Sequence, residues 1–238
     1  MSASERDPRL DRLFALTDGV YAIALTLLAV ELILPAASEH LHGKDLLQSI
    51  LDFWPKILGF LTSFTLIGLF WHGNHRAFHY LRRFDSPLDW LMLLHLLCIA
   101  FIPFPTSVIG THIADPVAQQ FYFATLFVTG LVMAALWWYL TSRRRLLDPS
   151  IGTEFVRRTH VISLSVPAVM LVLMGLVAVG IGRLINPLLL FAFVTLCFIA
   201  LGVLEWREEG VEPGDDEPQV PAMAGTDAEG SAGRKPEE

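Results

Sequence analysis

Residues 12–34 read RLFALTDGVYAIALTLLAVELIL, an apolar run broken by Asp18 one turn in and by Glu31 near its far end. A helix of about 20 apolar residues crosses the hydrocarbon core of a bilayer, so this segment is long enough to span. Ionised side chains at that depth are costly unless they face protein or water, and they mark function by default. The segment therefore reads as a wall of something, and the rest of the chain is read outward from it.

The composition agrees. Of 238 residues, 53% are hydrophobic and 17% charged, and the mean hydropathy is +0.52, too apolar for an ordinary soluble domain. The net charge of -7 dissolves on inspection: residues 1–206 carry 14 acidic and 14 basic side chains, and residues 207–238 carry 10 acidic and 3 basic. The imbalance belongs to the tail, so it indicates nothing about a substrate, and no basic surface away from the membrane flanks points to nucleic acid. Cys98 and Cys197 lie inside apolar runs and read as small core residues. Neither common glycine-rich nucleotide signature is present, which argues against transport driven directly by ATP. No soluble domain or internal repeat is evident, and no soluble partner is suggested.

A basic start, an apolar stretch and then PAAS could make a secretory signal, but Thr17, Asp18 and Glu31 fit one poorly. Hydropathy gives five further spans, at about 54–80, 88–109, 118–140, 161–181 and 187–204. The second ends in FWHGNHRAFHYLRRFD; the third follows the Ser86–Pro87 break and carries FIPFPTS. A proline pair at membrane depth requires neighbours that satisfy the freed carbonyls, so this span is expected to pack against other helices. Basic residues flank one side: Arg6, Arg9 and Arg12, then Arg76, Arg82 and Arg83, then Arg143, Arg144, Arg145, Arg157 and Arg158, then Arg207. Only Lys44, Lys56 and Arg183 stand opposite. Both termini are thus expected in the cytoplasm. The expected organisation is a leader at 1–11, a six-helix transmembrane domain at 12–206, and an acidic, Pro/Gly/Ala-rich tail at 207–238 that cannot bury enough surface to order itself.

Ile23, Leu27, Val30 and Leu34 fall at helical spacing and share one stripe. The commonest use of such a stripe is packing. Thr26 lies beside it, and its hydroxyl most often bonds back to a carbonyl one turn earlier. Asp18 can be satisfied without water by donors from the second span, where Trp71, His72, Asn74 and His75 lie at the same depth. Arg12 and Asp18, six residues apart, do not stack on one face. His72, His75 and His79 share a helical face and raise the alternative of a membrane metalloenzyme, although one helix rarely supplies a whole metal site. Asp18 and Glu31 raise another, a proton-coupled carrier.

The segment RxxxLTDGVYAIALTLLAVEL resembles the RxxxFSD signature and following helix of the transmembrane protein 175 family, the lysosomal potassium channels and their bacterial relatives. FWHGNH and FIPFPTS are similar to what that family carries in its second and third spans, and the resemblance covers about residues 9–206. It implies an all-α membrane fold of six helices without a re-entrant pore loop, assembled as a homotetramer in a bacterial cell membrane, with the first helix of each subunit lining the pore. It places the apolar constriction at Ile23, further rings at Leu27 and Val30, and a threonine beside the constriction at Thr26. It implies a network of Arg12, Thr17, Asp18, Trp71 and His75, with His72, that holds the pore helix. Leu16 stands where the signature has phenylalanine and Thr17 where it has serine; threonine keeps the hydroxyl, whereas the lost aromatic alters packing. The expected function is passive potassium conduction with no cofactor, potassium being the permeant ion.

Overall fold

The structure is a computed structural model that describes residues 8–33, 42–81, 85–143, 146, 152–180 and 196, with the backbone alone at 8, 9, 76–79, 154 and 155. The expected sixth span at 187–204, apart from residue 196, and the acidic tail lie outside the described residues. Among those described, the regular elements are helices: α1 (Pro8–Val30), α2 (Lys44–Asp52), α3 (Trp54–His79), α4 (Ser86–Phe101), α5 (Pro103–Thr111), α6 (Pro116–Ser142) and α7 (Thr153–Ala178). Five segments are long and apolar enough to cross a membrane: Leu10–Val30, Trp54–His75, Ser86–Thr111, Pro116–Ser142 and Val156–Ala178. At a rise of 1.5 Å per residue they are about 31–40 Å long, a match to a hydrocarbon core of about 30 Å. The protein is a multi-pass membrane protein.

Local sequence explains where these helices start and bend. Asp85 and Asp115 each precede a helix with proline in its first positions. Asp85 accepts from the Leu88 amide, and Asp115 from the amides of Val117 and Ala118. The third span is α4 and α5 run together through Ile102, whose backbone stays helical. Pro103 has no amide to give the Ile99 carbonyl, and the Ile102 amide takes that carbonyl instead at 3.2 Å. Thr106 closes the next turn, its amide and hydroxyl both donating to the Ile102 carbonyl. Pro103, Pro105 and Thr106 are buried, so the irregular turn faces protein rather than lipid.

α1 packs on α3, α4 and α5; α5 packs on α3 and α6; α4 packs on α6; and α6 pairs with α7. The last pair is close because Gly130 leaves room: a Cβ there would lie 2.9 Å from Pro167 Cδ. Buried Tyr21, Leu28, Leu66, Ile67, Met92, Ile99, Tyr122 and Phe123 fill the interior. Polar side chains buried among them are tied together, as a medium without water requires. Ser63 on α3 lies 2.7 Å from the Thr106 hydroxyl on α5 and 2.8 Å from the Tyr122 hydroxyl on α6. At one end of the bundle, Tyr139 near the end of α6 donates to Asp85 at the start of α4, and Thr141 pairs with His160 of α7. The third, fourth and fifth spans therefore alternate in direction.

Candidate pore face on the first helix

The two faces of α1 have different fates. Leu10, Leu13, Thr17, Tyr21, Ala24 and Leu28 repeat at spacings of three and four and are buried against the other helices. The opposite face is left open on the protomer: Ile23 is 60% exposed, Leu27 46% and Val30 59%, with Leu16 in line below them. The sequence stripe thus coincides with an unpartnered apolar strip down a membrane-spanning helix. A Cβ on Gly19, on the same side, would meet nothing within 4 Å among the described residues. Thr26 is exposed beside the strip, its hydroxyl donating to the Ile23 carbonyl at 2.8 Å. That bond uses the hydroxyl proton and leaves oxygen lone pairs free to meet a cation.

The expected supporting residues are brought together only in part. The Trp71 indole on α3 donates to Asp18 Oδ1 at 2.9 Å. The His75 ring, one turn further along α3, stacks on that indole with centroids 5.5 Å apart and planes inclined by 28°. Trp71 and His75 therefore form one platform under the Asp18 carboxylate. Thr17 turns the other way: it is buried and donates to the Leu13 carbonyl of its own helix at 2.8 Å. Arg12 is exposed and makes no ion pair with Asp18 among the described residues. His72 is half-buried on the neighbouring turn. Just past the other end of α1, Ser107 on α5 donates to Glu31 Oε2 at 2.8 Å, so Asp18 and Glu31 are each held by a donor from another helix.

Tyr21 and His95, which the sequence reading did not place in the network, join Asn74, expected there as a donor to Asp18, in a separate and deeper junction. Asn74 Nδ2 donates to the Tyr21 hydroxyl at 2.6 Å, and the same hydroxyl lies 2.8 Å from His95 Nε2 on α4. All three are buried. A signal for His95 was available: it occupies one position of the apolar stripe Leu88, Met92, His95, Leu96, Ile99, where a lone imidazole must find a partner. Tyr21 gave less, since a tyrosine on the inner face of a helix is ordinary core. Among the described residues no group of three or more His, Cys, Asp or Glu is placed to hold a metal; the His79 side chain lies outside them.

Comparison with known proteins bears on what this face belongs to. The family model described as endosomal/lysosomal potassium channel TMEM175 matches residues 12–103, which hold most of α1 and the whole of α2, α3 and α4. A Streptomyces collinus protein named as a potassium channel is 33% identical over 154 residues, covering 63% of this chain and 73% of that protein. The chain belongs to the TMEM175 family. The crystal structure of a lysosomal potassium-selective channel TMEM175 homolog from Chamaesiphon minutus superposes with a TM-score of 0.66 at 26% identity, over 83% of this chain and 98% of that one. A Gallus gallus TMEM175, named as an endosomal/lysosomal proton channel, is 35% identical over 98 residues, which is 39% of this chain and 19% of that much longer protein. In this TMEM175 member the matched region contains the α1 strip, the Asp18–Trp71 bond and the Tyr21–Asn74–His95 cluster.

Proposed function

We propose that this chain is a passive potassium channel, formed by four copies whose α1 helices surround a common axis. The observation that carries the reading is the exposed strip of Ile23, Leu27 and Val30 on the helix that bears the family signature. A strip facing lipid needs nothing further, but four such strips facing one another make a narrow apolar ring, and rings of this kind gate by dewetting. Ile23 forms the constriction, Leu27 and Val30 form further rings, and the Thr26 hydroxyl oxygens offer ligands to a partly dehydrated ion. Potassium surrenders its water more cheaply than sodium does, so a dry ring bordered by a few oxygens favours it.

Arg12, Thr17, Asp18, Trp71, His72 and His75 hold α1 in place. Trp71 fixes Asp18 directly, His75 supports Trp71, and Thr17 stiffens the turn of α1 below the constriction. The full unit has six spans with both ends in the cytoplasm, a short leader whose last residues, from Pro8, run into α1, and a solvated tail at 207–238, and it resides in a bacterial inner membrane as a homotetramer. No re-entrant loop and no bound cofactor enter the mechanism, and the ion moves down its gradient.

Liposomes containing purified protein test this. Potassium efflux driven by a valinomycin-free gradient is expected, with slower sodium flux. Ile23→Asn, which places amides in the dry ring, is expected to raise flux and lower the potassium-to-sodium ratio; no change in either would remove Ile23 from the constriction. A pH dye in the same liposomes reads proton entry, and proton flux exceeding potassium flux would assign proton conduction instead.

A further inference from the structure

The Tyr21 hydroxyl of α1 is gripped from two helices at once. Asn74 reaches it from α3 and His95 from α4, at 2.6 and 2.8 Å. With its oxygen accepting from Asn74, the hydroxyl sends its proton to His95 Nε2, which leaves the imidazole proton on Nδ1. Phe70 closes the far side, its ring meeting the His95 ring edge-on at 5.7 Å. The cluster is not needed to fill space, because leucine and phenylalanine would fill it. It also leaves polar atoms stranded: Asn74 Oδ1 and His95 Nδ1 are buried with no hydrogen-bond partner among the described residues. Buried groups of this kind are costly, and a core that keeps them gains orientation rather than stability.

We propose that Tyr21 is a positioning residue for the pore constriction, its hydroxyl fixing the rotation and height of α1 through Asn74 and His95 and so aiming Ile23. The inference rests on the channel reading. Successive residues are about 100° apart around a helix, so Tyr21 stands roughly behind Ile23. Turning α1 by one residue replaces Ile23 at the axis with Ala22 or Ala24, which opens the ring. The Asp18–Trp71 and Glu31–Ser107 bonds hold α1 at two exposed points. The Tyr21 junction adds a tether on the buried back of the helix, behind Ile23, where it opposes a roll.

Tyr21→Phe removes the hydroxyl and keeps the ring. Ser63→Ala is the control: it removes an equally buried hydroxyl from a cluster that joins α3, α5 and α6. Both variants are expected to melt at lower temperature. Only Tyr21→Phe is expected to change permeation, with the potassium-to-sodium permeability ratio in bi-ionic liposome or bilayer recordings falling by about threefold or more, on the scale of one lost buried hydrogen bond. His95→Gln, which keeps a polar partner but moves it, is expected to lower the ratio less. A ratio equal to wild type in assembled Tyr21→Phe overturns the proposal. Should Tyr21→Phe fail to assemble, an unchanged ratio in His95→Gln overturns it, and so does failure of both while Ser63→Ala assembles, since the cluster is then only structural. Absence of potassium flux in the wild type, by contrast, overturns the channel reading itself.

Discussion

Trp71 and Asp18, 53 residues apart in sequence, are joined by a 2.9 Å hydrogen bond from the indole nitrogen to the carboxylate. The bond crosses from α3 to α1 on the exposed flank of the protomer, where lipid would leave the carboxylate unsatisfied. Trp71→Phe keeps an aromatic for His75 to stack on and deletes the donor. It is expected to cost about 1 kcal/mol, less than a fully buried bond to a charge because both partners are partly exposed. Asp18→Asn keeps an acceptor and is expected to cost less. Thermal melts of the detergent-purified protein read both, and identical midpoints for Trp71→Phe and wild type would show that the bond does not hold α1.

Thr26 donates its proton to the Ile23 carbonyl and turns its oxygen outward. Thr26→Val has nearly the same shape and no oxygen, so it is expected to preserve assembly while lowering the potassium-to-sodium permeability ratio. Thr26→Ser is expected to retain most of that ratio. Equal ratios in Thr26→Val and wild type would assign discrimination to the apolar ring alone.

Gly130 and Pro167 lock α6 to α7 at a distance that admits no side chain. Gly130→Ala places a methyl 2.9 Å from Pro167 Cδ and 3.2 Å from its nitrogen, so the two helices must part. Overpacking of this kind costs about 1–3 kcal/mol. The midpoint of unfolding is expected to fall by several degrees while the ion selectivity of the protein that remains folded is unchanged, because α1 packs chiefly on α3, α4 and α5. A selectivity shift in Gly130→Ala would mean that the α6–α7 pair also sets the pore.

His72, His75 and His79 share one face of α3, and His75 is occupied in stacking on Trp71. Dialysis against EDTA is therefore expected to leave potassium flux as it was, and elemental analysis of the purified protein to find no stoichiometric transition metal. One zinc or iron per chain, lost together with activity on chelation, would revive the metalloenzyme reading.

Much of this protein is legible in one dimension because a bilayer simplifies the code. Span length and hydropathy are local quantities, and the Asp–Pro helix starts at Asp85 and Asp115 are local chemistry. The stripe Ile23, Leu27, Val30 follows from the helical repeat alone. Periodicity could not say whether that stripe was packed or bare, since the same spacing serves a core face and an open one. Only the packing of α3, α4 and α5 against the Tyr21 side of α1 leaves the Ile23 side open.

Residue partnerships were the harder part, for the same physical reason. A buried donor must find an acceptor, but sequence does not say on which helix. Arg12, Thr17, Asp18, Trp71, His72 and His75 formed one group in the sequence. In the structure Asp18, Trp71 and His75 meet, Thr17 bonds within its own turn, and Tyr21, Asn74 and His95 make a second, deeper junction. The run at residues 12–34 by itself determined that this chain enters a membrane and which residues share a face of its first helix. Tertiary structure decided which face is buried and which donors hold it, because those depend on the approach of helices far apart in the chain.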